Sequence, residues 1–196
     1  MNIESHPLQP FLPENGKILF LGSFPPPVKR WSMEFFYPNW INDFWRIMGL
    51  ILFNDKAYFE VENEKRFDRE RIVAFSNNEG LAFFDTASKV RRLKDNASDN
   101  FLEIIEQTDV CKLLLQMPQC NQVVTTGTKA SEELLIQFTN VAVSLGLDKP
   151  EMPTIGEYLL IEACGRTIRW WRMPSSSRAY PLALPKKAEF YKRLFE

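Results

Sequence analysis

Apolar residues along this chain fall into two kinds of pattern. Three short unbroken runs, Lys17-Ile18-Leu19-Phe20-Leu21-Gly22, Leu81-Ala82-Phe83-Phe84-Asp85 and Gln122-Val123-Val124-Thr125-Thr126-Gly127, read as strands buried on both faces, as parallel strands are. Tyr158 to Ala163 and Thr167 to Met173 read as two further strands joined by a turn at Gly165. Elsewhere the apolar positions recur at helical intervals. Residues 41, 44, 45, 48 and 51 predict a helix over 39–51 with Asn39 as its cap. Helices are likewise expected over 67–75, ending in the turn-rich 76–80, and over 129–138 and 186–195. Residues 99–116 are expected to be helical in one or two pieces, with Ser98 and Asp109 as caps and Pro118 as a stop. Pro25, Pro26 and Pro27 exclude helix and sheet interior, so a loop follows the first strand, and 145–153 reads as another loop. Strands alternating with helices predict an α/β fold, a three-layer α/β/α sandwich with a central, mainly parallel four-stranded sheet. One domain spanning 1–196 is expected, with 1–15 an irregular extension.

In open sheets of this kind ligands bind beyond the carboxyl ends of the strands. That rule brings Gly22-Ser23-Phe24-Pro25, Asp85-Thr86, Thr126-Gly127 and Met173-Pro174-Ser175-Ser176-Ser177 to one edge. Phe35-Phe36-Tyr37 and Asn39 to Asn42 join them there. The edge offers hydroxyls, backbone donors, rings and amides. Three hydroxyl residues after Pro174, followed by Arg178, form a loop suited to phosphate oxygens.

Composition narrows the class. With 196 residues, 45% hydrophobic and 13% aromatic, the chain can bury a full core. No segment is apolar over a bilayer's thickness and the N-terminus lacks a secretory pattern, so a cytoplasmic location, nucleoid-associated in a prokaryote, is expected. Net charge is −1, which by itself argues against a nucleic-acid partner. The distribution argues the other way: residues 165–196 hold eight basic residues against two acidic ones. A second basic run is Lys89-Val90-Arg91-Arg92-Leu93-Lys94. Cys111, Cys120 and Cys164 are odd in number without a Cys-x-x-Cys pair, and are expected to be reduced, buried small residues. The one histidine, His6, is expected in a mobile terminus with no catalytic part, which argues against Ser-His-Asp and zinc hydrolases.

The motifs Gly22-Ser23-Phe24-Pro25, Phe36-Tyr37-Pro38 with Asn42-Asp43-Phe44-Trp45, Gly80-Leu81-x-Phe83-x-Asp85 and Met173-Pro174-Ser175-Ser176-Ser177-Arg178 occur in the order seen in the uracil-DNA glycosylase superfamily, which this chain resembles. The closing loop is most similar to the mismatch-specific thymine/uracil branch. The opening motif, with Asp85 and Ser98-Asp99, looks more like the hypoxanthine branch. The resemblance runs from about Lys17 to Phe195.

That resemblance implies base flipping and hydrolysis of the bond between base and sugar in a DNA duplex holding a damaged or mismatched base, without metal or cofactor, by a monomer. Gly22, Ser23 and Phe24 match the motif that supplies backbone donors to the base. Its usual water-holding Asn or Asp is replaced here by Phe24, which cannot hold water. Asn42 is the expected substitute, with Asp43 and Asp85 as weaker ones. Tyr37 matches the ring on which the flipped base stacks. Thr126, before Gly127, stands where an Asn usually reads the base edge. Ser175, Ser176, Ser177, Arg178 and Lys186 are the expected DNA contacts, Arg178 filling the vacated stack. A non-catalytic DNA- or nucleotide-binding protein on the same scaffold is the alternative, suggested by Phe24 and Thr126. A small-molecule enzyme is a more distant third.

Overall fold

The computed structural model describes residues 2–93 and 101–196. The expected cap Ser98, together with Asp99 and Lys94, lies outside the described residues. Among the described residues, eight strands and five α-helices follow one another as β1 (Ile3–Ser5), β2 (Ile18–Gly22), α1 (Phe44–Phe53), α2 (Arg69–Glu79), β3 (Leu81–Asp85), β4 (Ala87–Arg92), β5 (Leu102–Gln107), α3 (Val110–Leu115), β6 (Gln122–Thr126), α4 (Thr128–Leu145), β7 (Tyr158–Ala163), β8 (Arg166–Met173) and α5 (Leu184–Lys192).

The apolar runs form a five-stranded sheet in the order β3-β2-β6-β8-β7. Its first four strands are parallel and β7 is antiparallel, so the sheet is mixed and one strand larger than expected. Every residue of β2 and β3 is buried, as continuous apolar runs require when both faces are covered. The chain steps from β2 to β3 on one side and later to β6 on the other, which makes the β2–β6 crevice the switch point of the sheet. Gly22 is paired with Asp85, and Thr126 with Met173, so the four carboxyl ends share one edge.

A second sheet, β1-β4-β5, is antiparallel and lies outside the expected architecture. It corrects two expectations. Residues 102–107 are a strand, not a helix: Leu102 and Ile104 turn to Phe24, Ala87 and Val90 while Glu103 and Ile105 face out, a period of two that breaks at Glu106, where the pairing with β4 shifts register. Residues 110–115 are helical, capped as expected by Asp109 accepting from the Lys112 amide at 2.9 Å. The N-terminal segment is ordered too: β1 pairs with β4, and Phe11 exchanges two backbone hydrogen bonds with Phe83, covering the free edge of β3.

Two helix boundaries bear on the site. α1 begins at Phe44, not at Asn39, because Asn39 Oδ1 turns back to the Ile41 amide at 3.1 Å and 39–43 form a turn. Residues 76–79 belong to α2, which ends on left-handed Gly80.

Cys111 and Cys164 form a disulfide, contrary to the expectation of three reduced thiols; Cys120 alone is free and buried, and burial pushes its thiol up to about 11. The odd count holds for Cys120 only, since pairing depends on the fold bringing α3 beside the β7–β8 turn. The bridge closes a separation of 53 residues, for which chain entropy gives about 4 kcal/mol. We expect Cys111→Ser/Cys164→Ser, or reduction of the native chain, to lower the unfolding free energy measured by urea titration by about that amount, with a larger m-value because the unfolded chain without the cross-link exposes more surface.

Candidate functional site

A cleft of about 850 Å³ opens at the carboxyl edge of the main sheet. Gly22, Ser23, Phe24, Tyr37, Asn42, Asp85, Thr126, Gly127, Ser175, Ser176 and Ser177 all line it. Arg178 and Lys186 do not.

Close backbone approach builds the floor. A Cβ on Gly22 would lie 2.5 Å from Asp85 Oδ1, so glycine is what lets the β3 carboxylate settle against β2. Gly127 has φ 126°, a conformation that only glycine adopts freely, and starts α4 from the cleft. Phe24 is buried, packing its ring on the second sheet rather than opening a water site.

Tyr37 forms one wall. Its φ of 52° is left-handed, a strained conformation for a ring-bearing residue, and two contacts hold it there. The ring stacks on Phe44 at 3.8 Å, and its hydroxyl hydrogen-bonds Thr126 Oγ1 at 2.8 Å. Thr126 in turn donates to the Leu21 carbonyl at 3.4 Å. Burial raises the Tyr37 phenol far above its ordinary value, outweighing the Thr126 hydrogen bond, so the hydroxyl is neutral. Phe44 covers one face of the ring, and Tyr37 lines the cleft. Thr126 thus braces Tyr37, and its hydroxyl is largely spent.

Asn42 stands in the turn before α1, not one helical turn into it. Its Oδ1 accepts the Phe44 amide at 2.9 Å, which sets the amide plane. The neighbouring backbone ties this turn to the serine loop: Asn42 bridges Ser177, and the Asp43 amide donates to the Ser176 carbonyl at 2.9 Å.

The three serines are not alike. Ser175 Oγ accepts from the Ser177 amide and Ser177 Oγ from the Ala179 amide, both at 3.2 Å, so each keeps a hydroxyl proton to donate at the rim. Ser176 is 2% exposed and faces Tyr191, which removes it as a surface contact. Arg178 Nε donates to Asp43 Oδ1 at 2.9 Å, and Lys187, fully buried, donates to Asp43 Oδ2 at 3.1 Å and to the Ser177 carbonyl at 2.8 Å. Asp43 is therefore an anchor for two cations and no candidate for holding water.

The side chains of the basic C-terminal segment are committed to partners within the fold. Arg166 binds carbonyls at the end of α3, Arg169 lies over Tyr158, and Arg172 binds the Pro153 carbonyl. Lys186 pairs with Glu189, Lys192 with Glu196 and Arg193 with Glu157. Lys89, Arg91 and Arg92 pair with Glu106, Glu103 and Glu4. Charge counted along the sequence therefore overstated the cationic surface. Arg30 and Lys129, which the sequence did not single out, line the cleft.

His6 was missed. Instead of hanging free it is 4% exposed at its side chain and meets Asp85, Nε2 to Oδ2 3.0 Å. Nδ1 is taken by the Leu8 backbone at 2.8 Å, and Phe24 and Phe84 flank the ring at 5.3 and 4.4 Å. Both ring nitrogens are occupied, so no serine triad forms, though for a different reason than a mobile terminus. Nothing in the local sequence Ile3-Glu4-Ser5 marks it. No group of three or more His, Cys, Asp or Glu side chains that could hold a metal occurs among the described residues. No helix among them is long and apolar enough to cross a membrane.

The fold has a known counterpart. The solution NMR structure of a candidate uracil DNA glycosylase from Methanosarcina acetivorans superimposes with a TM-score of 0.62 over 100% of both chains, at 19% sequence identity. No family model matches this chain, and no curated protein matches it.

Proposed function

We propose that this protein is a DNA glycosylase of the uracil-DNA glycosylase superfamily, built as a three-layer α/β/α domain. It flips a deaminated or mismatched base out of a duplex and hydrolyses the bond to the sugar. One observation carries the reading: four strand ends, a strained Tyr37 and the fixed amide of Asn42 meet in one cleft at the switch point of the sheet. Shared fold with a candidate uracil DNA glycosylase supports it.

In this reading the extruded base stacks on Tyr37, worth about 1–3 kcal/mol. Asn42 Oδ1, held by the Phe44 amide, uses its second lone pair to orient the water that attacks the anomeric carbon. Asp85 sets a negative charge near the sugar as positive charge develops on it. Ser175 and Ser177 donate to phosphates beside the lesion. Thr126, committed to Tyr37, offers the base little, so backbone groups of the Gly22–Phe24 turn carry most of the recognition. The experiment is incubation with duplexes containing uracil, hypoxanthine, xanthine or mismatched thymine, followed by alkaline cleavage of abasic sites. Strand breaks over one lesion or more are expected; intact strands on all four would sink the enzyme and favour a binding protein on this scaffold, the reading to which Phe24 and the spent hydroxyl of Thr126 point.

Arg178 fills the vacated stack in this scheme. It is 47% exposed at its side chain and rests on Asp43, and because Asp43 keeps Lys187, Arg178 can leave without stranding the carboxylate. We expect Arg178→Ala to slow excision from duplex by roughly tenfold, since unstacking costs a few kcal/mol, and from single strands by less than twofold. Equal losses on both substrates would make Arg178 a general phosphate contact.

A further inference from the structure

Asp85 closes the floor of the cleft at 7% exposure, its two oxygens held differently. Oδ1 packs against Gly22, where a Cβ would come within 2.5 Å. Oδ2 meets His6 Nε2 at 3.0 Å. The histidine is in turn fixed from behind: Nδ1 accepts from the Leu8 amide at 3.1 Å, which leaves Nε2 to carry the proton toward Asp85, the ring lies among Phe24, Phe36 and Phe84, and its own amide donates to the Ser88 carbonyl at 2.8 Å. β1 on one side and the Phe11–Phe83 bridge on the other hold the segment on the domain. A carboxylate this buried needs a donor to stay where it is, and a ring fixed on both nitrogens supplies one in a single direction.

We infer that His6 is a positioning residue of the active site, which aims the Asp85 carboxylate into the cleft at the sugar of the extruded nucleotide. The N-terminal segment thereby completes the site. The inference rests on the glycosylase reading. Structural burial alone would also explain a buried His–Asp pair, and the two explanations part on kinetics. A positioning role acts on the chemical step, whereas a structural one acts on folding and on binding alike.

The test uses the full-length protein on whichever lesion duplex the wild type cleaves. His6→Ala is expected to lower the single-turnover rate about 100-fold, while affinity for the same duplex stays within about threefold. Added imidazole should recover at least tenfold of the rate, because the ring leaves a cavity of its own shape beside Asp85. His6→Gln, which keeps a donor near the position of Nε2, should retain more rate than His6→Ala and serves if the alanine variant fails to fold. Asp85→Asn should cost as much as His6→Ala, and the double variant little more than either, as expected of residues that act as one unit. A normal rate for both His6 variants, or losses of rate and affinity in equal measure without imidazole recovery, would overturn the role of His6 while leaving the glycosylase reading intact. An inactive wild type on all four lesions would overturn that reading and the role of His6 with it.

Discussion

Asn42→Ala is expected to lower the single-turnover excision rate by roughly 100- to 1,000-fold, the scale for losing a positioned polar group in the transition state. Binding of the lesion duplex should change by less than about threefold, because the amide acts on the water and only marginally on the DNA. The variant also loses the acceptor for the Phe44 amide at the start of α1, which should cost about 1 kcal/mol of stability. The rate loss is too large to follow from so small a destabilisation, so measuring both separates the roles. Asn42→Asp keeps the acceptor and tests whether the neutral amide is needed. If Asn42→Ala turns over within about threefold of the wild type, the water belongs to another group, and Asp85, held by His6, is the one placed to take it.

Asp43→Ala is expected to cost about 3–5 kcal/mol of folding free energy. The cause is Lys187. Its ammonium has no solvent exposure, and without Asp43 it keeps only the Ser177 carbonyl. Arg178, half exposed, turns to water and loses little, so Arg178→Ala should cost under about 1 kcal/mol. Asp43→Ala/Lys187→Met should recover much of the loss, because no buried charge is then left alone. Urea titration of the three variants checks the ordering. A loss for Asp43→Ala no greater than that for Arg178→Ala would mean that Lys187 reaches water and that the anchor of the serine loop is weaker than its geometry implies.

Much of the site was legible because the signals were local. An apolar run such as Ile18–Gly22 needs no partner to be read, and the rule that ligands sit beyond strand ends then places Gly22, Asp85, Thr126 and Ser175 together, as they are found. Asn42 was selected by motif, and its place in the turn before α1 came only with the fold. Arg178, expected to fill the vacated stack, rests on Asp43, a residue 135 positions away. The basic stretch 165–196 reads as a phosphate surface along the sequence because several of its partners, among them Asp43, Glu157 and the end of α3, lie outside it.

The sequence by itself determined the main strands, since burial on both faces demands unbroken apolar runs, and with them the edge where the cleft opens. Tertiary structure alone decided the second sheet, whose half-exposed strands β4 and β5 carry their apolar residues at irregular spacing and leave no continuous run to read. It decided the Cys111–Cys164 bridge, because pairing is a matter of distance and not of count. It also decided the fate of His6. A lone histidine near a terminus carries no periodicity and no motif, and only the pairing of β1 with β4 brings it 79 residues along the chain to Asp85, in a pocket of rings where a hydrogen bond is worth most.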